Sequence, residues 1–169
     1  MKKINILVIV IQLFGMIFLI HGILQLRYYS VAEQYICAIK YLQGQKSECW
    51  NELFPTKEII LNFWPSIYIW IFLGLLIGIF VISFLNWKHK FSSLNSIIVA
   101  IVMYIIIRLK SFRRGVFSRL FHSFTSAFSD DITVQFIVGG VLFTLMGLAI
   151  LWLSVHPNWF SSRKDLVSN

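Results

Sequence analysis

Four stretches of the chain are almost continuously apolar, and polar segments separate them. They cover residues 4–26, 63–85, 94–109 and 132–155. A transmembrane helix needs about 20 predominantly apolar residues, because each residue rises about 1.5 Å across a hydrocarbon core about 30 Å thick. The third stretch is the shortest and ends at Arg108. The pattern predicts an all-α, polytopic membrane protein: one domain over residues 1–169, built as a small bundle of four transmembrane helices.

Composition supports a membrane environment over a soluble one. The chain is 58% hydrophobic and only 13% charged, whereas soluble domains carry about 25% charged residues. The net charge of +8 is better explained by Lys and Arg at membrane borders than by nucleic-acid binding. We therefore expect membrane lipid as a partner and no nucleic acid.

The polar segment after the first stretch shows helical spacing of its own. Val31, Tyr35, Ile39 and Leu42 recur three or four residues apart. This spacing predicts a short amphipathic helix that lies on the membrane or covers one end of the bundle.

Residues 110–128 carry the clearest amphipathic pattern in the chain. Phenylalanines repeat along one face, and polar and basic side chains occupy the other. A basic helix with an aromatic face suits the membrane interface, so we predict an interfacial helix here. Its lipid-phosphate contacts would be Lys110, Arg113, Arg114 and Arg119. The alternative is that the aromatic face packs on neighbouring helices.

The orientation of the four helices rests on two conflicting signals. Lys2 and Lys3 flank the first-inserted helix and favour cytoplasmic termini, with Cys37 and Cys49 on the opposite side. That arrangement leaves six Lys and Arg residues inside and nine outside, against the positive-inside rule. We expect both termini to be cytoplasmic. The opposite orientation stays open, as does a three-span arrangement with a re-entrant third helix.

The two cysteines and several glycines are candidates for structural roles. Cys37 and Cys49 share one polar segment and could form a disulfide in an oxidising compartment, or remain two unrelated thiols. Small residues four or seven apart let helix backbones approach closely. The candidates for helix packing are Gly74, Gly78, Gly140 and Gly147. They would serve a partner interface, including one with a second copy, or packing inside one bundle.

His21 and Gln25 lie one turn apart on the first helix, and polar groups inside a membrane span indicate function by default. Interhelical hydrogen bonding is the simpler role. A haem or metal role for His21 would need a second ligand such as His122. Asp130 and Asp131 precede the fourth helix, where carboxylates cap a helix start.

Without a phosphate loop, a metal-ligand spacing or a credible catalytic constellation, the sequence favours a non-catalytic protein with no cofactor. We expect an accessory or assembly subunit of a larger membrane complex, or a lipid-interacting protein. The alternative is a membrane-embedded enzyme or redox protein that uses His21 with His122, or the pair Cys37 and Cys49.

Overall fold

The computed structural model describes residues 4–44, 49–89, 91–109, 121 and 123–156. These residues form helices and no strand. The helices are α1 (Ile6–Ser30), α2 (Ala32–Leu42), α3 (Cys49–Leu53), α4 (Lys57–Lys88), α5 (Ser93–Arg108) and α6 (Ile132–Ser154). Three of them, α1, α4 and α6, are long and apolar enough to cross a membrane, and α5 is a shorter apolar helix. The all-α prediction is thus confirmed for the described part of the chain.

Side-chain caps fix where three helices begin. The Asn5 side chain accepts a hydrogen bond from the Val8 amide at the start of α1. Ser92 caps α5 in the same way. The Asp131 carboxylate accepts a 2.8 Å bond from the Thr133 amide at the start of α6, which satisfies an otherwise unpaired donor. Capping is therefore the role that the structure shows for Asp131.

The first helix lies at the centre of the bundle. It packs most extensively against α6 and also contacts α4 and α5. Glycines mark the closest approaches: Gly22 of α1 meets Thr144 of α6, and Gly74 of α4 meets Ile20 of α1. Later residues of α1 meet earlier residues of α4 and of α6, so both helices run antiparallel to α1. We call the end where α1 begins the amino end, and the opposite end the cap end.

Helix α5 covers only the half of the bundle nearest the amino end. The Asn86 amide donates a 2.9 Å hydrogen bond to the Ser96 hydroxyl, which places the start of α5 beside the end of α4. Arg108, the last residue of α5, is twelve residues beyond Ser96, which is a rise of about 18 Å along the helix. Gly74 is twelve residues before Asn86 on α4, so Arg108 lies near the level of Gly74. Gly74 contacts Ile20, so this level is the middle of α1. The bounds of α5 match the predicted third helix, but its length is about 24 Å.

The described residues that precede α6 lie beside α1 and α6. The Phe121 ring packs on Phe18 and His21, again near the middle of α1. Thr125 lies against Gly139 of α6, nearer the cap end. These residues therefore lie at levels of the bundle that α5 does not reach.

The polar segment after α1 forms a cap over one end of the bundle. A disulfide joins Cys37 of α2 to Cys49 of α3. Aromatic rings continue the contact into the bundle, with Tyr28 and Tyr35 centred 4.4 Å apart and Phe54 meeting Phe63 at 5.4 Å. Burial and the nearby Tyr68 hydroxyl raise the pKa of Tyr35. The predicted amphipathic helix is thus present as α2; Val31, Tyr35 and Ile39 of its apolar face are half-buried, and Leu42 is exposed.

Candidate functional site

An apolar groove lies between α1, α6 and the described residues 121 and 123–128. Its volume is about 410 Å³, and the side chains lining it are Phe14, Ile17, Phe18, Phe121, Phe124, Phe143 and Met146. Ligand sites are typically concave, largely apolar and about 300–1,000 Å³ in volume. We call this concavity the phenylalanine groove.

The groove has a buried floor and exposed rims. Ile17, Phe121 and Phe143 form the floor and are almost fully buried, whereas Phe14 and Phe124 on the rims are about half exposed. Rings in the floor pack edge to face, with the Phe121 and Phe143 centroids 4.3 Å apart. The floor is therefore fixed by its own packing, and the rims are free to contact an occupant.

Local sequence explains how these side chains converge. Phe14, Ile17 and Phe18 lie three and four residues apart on α1 and so share one face. Phe143 and Met146 do the same on α6. The glycine contacts bring the two backbones together beside the groove, and Gly147 lies against the backbone of Leu19. The apolar side chains of α1 and α6 flank this close approach, and the groove runs along the junction between the two helices.

His21 lies directly behind the floor of the groove. Its ring stacks on Phe121 with centroids 4.0 Å apart and meets the edge of Phe143 at 6.4 Å. The imidazole is buried, and its Nε2 atom has no hydrogen-bond partner among the residues that the structure describes. Gln25, one turn nearer the cap end, is also buried. The predicted intramembrane polar pair thus faces the bundle interior.

A second polar cluster joins three helices near the amino end. The Gln12 side-chain amide donates a 2.9 Å hydrogen bond to the Asn86 carbonyl, and Asn86 donates to Ser96. Asn95 is fully buried beside them, without a side-chain partner in the described ranges. The sequence analysis missed this cluster because Asn86 and Asn95 stand at the ends of apolar stretches, where polar residues usually face headgroups. The hydrogen bonds among Gln12, Asn86 and Ser96 connect α1, α4 and α5, so the cluster has a structural role.

The four predicted packing glycines all meet partners within the chain. Gly74 lies against Ile20 and Gly78 against Met16, which joins α4 to α1. Gly140 lies against Leu26 and Gly147 against Leu19, which joins α6 to α1. Of the two interpretations left open by the sequence, packing inside one bundle is therefore the one that these contacts favour.

The remaining predicted site residues fall largely outside the described ranges. His122 and the four basic residues offered as phosphate contacts, Lys110, Arg113, Arg114 and Arg119, are among them. Of the predicted interfacial helix, the structure describes only residues 121 and 123–128. There Phe121 packs into the bundle, as the alternative interpretation expected, while Phe128 is exposed. Among the described residues, no group of three or more His, Cys, Asp or Glu side chains could hold a metal ion.

Comparison with known proteins adds no relative, since no family model, no curated protein and no solved structure matches the chain.

Proposed function

We propose that this chain is a non-catalytic integral membrane protein that binds the hydrocarbon chain of a lipid in the phenylalanine groove. The observation that carries the proposal is the groove itself: seven apolar side chains, a rigid aromatic floor and exposed rims. The groove lies beside the middle of α1, one of the helices suited to crossing a membrane. In a bilayer, this level faces hydrocarbon, so the molecules that reach the groove are lipid chains.

The membrane arrangement that goes with this proposal has four passages. Helices α1, α4 and α6 would span, and α5 with the segment around residue 121 would complete the third passage. The first and the last described residues then both lie at the amino end of the bundle. Disulfides persist in oxidising compartments, so the bonded pair Cys37 and Cys49 supports an orientation with the cap end outside the cytoplasm. The termini would be cytoplasmic.

Lipid binding has better support than a subunit role or catalysis. The glycine contacts that could have formed a partner interface are used inside the bundle. His21 is packed behind Phe121, and its ring contacts aromatic side chains rather than a second titratable group in the described part of the chain. In a bilayer the rim side chains face hydrocarbon whether or not the groove is occupied, so a preference for the groove would come from van der Waals packing of a lipid chain against the fixed aromatic floor.

Two tryptophan substitutions on α6 test the proposal. Met146→Trp would fill the groove from its rim, whereas Leu145→Trp adds the same ring at a neighbouring, exposed position that does not line the groove. The purified protein would be incubated with a phospholipid that carries a photoactivatable group on its acyl chain. Crosslinked peptides would then be mapped by mass spectrometry.

The wild type and Leu145→Trp should crosslink at α1 and α6 residues of the groove, and Met146→Trp should lose most of this signal. Matching thermal melting curves would establish that both variants are folded. Equal crosslinking in all three proteins, or crosslinks spread evenly over the lipid-facing surface, would contradict a groove-specific site.

A further inference from the structure

Two histidines from distant parts of the chain meet at the amino end of the bundle. His89 follows the last residue of α4, and His156 lies two residues beyond the end of α6. Their ring centroids are 4.7 Å apart, with an interplanar angle of 69°. Both rings are half-buried, and neither lies in the phenylalanine groove or the polar cluster. The proposed lipid-binding function makes no use of this pair.

The hydrogen bonding of His156 suits a metal ligand. Its Nδ1 atom lies 3.0 Å from the Trp152 carbonyl oxygen, which is a bond that a protonated Nδ1 donates. A carbonyl that accepts from one ring nitrogen fixes the tautomer and leaves Nε2 with its lone pair free. The Trp152 ring also packs on the imidazole at 4.4 Å and restrains its orientation. Metal-binding histidines commonly have such a supporting contact.

The spacing of the two rings matches shared coordination. A zinc–nitrogen bond of about 2.1 Å places each ring centre about 3.2 Å from the metal. For nitrogen–metal–nitrogen angles between about 90° and 110°, two such rings have centres about 4.5–5.2 Å apart. The observed 4.7 Å lies in this range.

The surroundings of His89 favour its neutral form. Partial burial, the His156 ring and the Lys88 ammonium lower the pKa of His89. Neutral imidazole is the metal-binding form, so a lower pKa leaves more of the ligand available at pH 7. An all-imidazole site selects zinc, copper or nickel over calcium and magnesium, which prefer oxygen ligands.

From this juxtaposition we propose that His89 and His156 form a binding site for a divalent transition metal, with the remaining coordination positions filled by water. The metal would connect the end of α4 to the end of α6, the two helices that flank α1. It would therefore stabilise the contact between these two helix ends at the amino end of the bundle, outside the membrane.

The test uses the full-length protein purified with an affinity tag that contains no histidine. Zinc binding would be measured by calorimetry at pH 7.5 for the wild type, His89→Ala, His89→Gln and His156→Ala. His122→Ala serves as the matched control, because it removes a histidine outside the proposed pair. The EPR spectrum of bound Cu²⁺ would report how many imidazole nitrogens coordinate the metal.

The wild type and His122→Ala should each bind one zinc ion, and each substitution at His89 or His156 should weaken binding at least about tenfold, as loss of metal-site support does. Binding should also weaken as the pH is lowered, because protonated imidazole cannot ligate. Wild-type affinity within twofold in any variant of the pair would overturn the proposal. So would an equal loss in His122→Ala, or no zinc binding up to millimolar concentration.

Discussion

Replacement of Gly147 by alanine should destabilise the bundle through the backbone of its central helix. A Cβ atom at position 147 would lie 2.6 Å from the Leu19 amide nitrogen, 2.8 Å from the Leu19 Cα and 2.9 Å from the Gly15 carbonyl oxygen. Non-bonded heavy atoms pack best at about 3.5–4.0 Å. All three neighbours are backbone atoms of α1, so no side chain can rotate away, and α1 and α6 must separate.

The expected loss of stability depends on how many contacts between α1 and α6 the separation weakens. A gap of about 0.5–1 Å forfeits a quarter to a half of the dispersion energy of each contact that it opens. Overpacking typically costs about 1–3 kcal/mol, and alanine recovers up to about 1 kcal/mol through its higher helix propensity. We expect a net loss of about 1–2 kcal/mol, which corresponds to a decrease in Tm of roughly 2–8 °C for a chain of this size.

Gly74→Ala is the matched comparison, because it makes the same chemical change on α4. A Cβ atom there would lie 3.1 Å from the Ile20 Cα, with Ile20 side-chain atoms at 3.3 and 3.6 Å. Small shifts can relieve these contacts, so its Tm should stay close to that of the wild type. Both variants would be melted in the same detergent, with tryptophan fluorescence as the signal. If Gly147→Ala melts at or above the temperature of Gly74→Ala, the close α1–α6 approach is not present in the protein.

Two further predictions concern the ends of the bundle. Asn86→Leu leaves two buried partners unpaired, Gln12 and Ser96, and should lower the free energy of unfolding by about 1–3 kcal/mol in the same melting assay; an unchanged Tm would show that the cluster is not buried. Replacing both Cys37 and Cys49 by serine should cost about 2–4 kcal/mol. In intact cells, a membrane-impermeant thiol reagent should label these cysteines only after reduction, and labelling that requires permeabilisation would reverse the orientation.

The sequence predicted the helices well because hydropathy reports directly on what a bilayer requires. The first and fourth apolar stretches became α1 and α6 with ends shifted by at most four residues. The second stretch was predicted to start at residue 63, but α4 begins at Lys57. The additional turns carry the charged residues Lys57 and Glu58 and are largely exposed, so hydropathy could not detect them.

The arrangement of the helices could not be read from the same pattern. The i, i+3 and i+4 spacing around Phe121 and Phe124 indicates an apolar face, but a bilayer and a neighbouring helix both satisfy such a face. Only the placement of Phe121 against Phe18 and His21 distinguishes them. The phenylalanine groove and the histidine pair likewise depend on contacts between residues more than 60 positions apart.

The central position of α1 also sets the order in which the molecule can be completed during synthesis. Helix α1 is synthesised before α6, and its most extensive contacts are with α6. Until α6 arrives, His21 lacks its contact with Phe143, and the backbone at Gly15 and Gly22 lacks the residues Leu151 and Thr144 that pack on it. The packing of the central helix is therefore completed only after the intervening helices have been made.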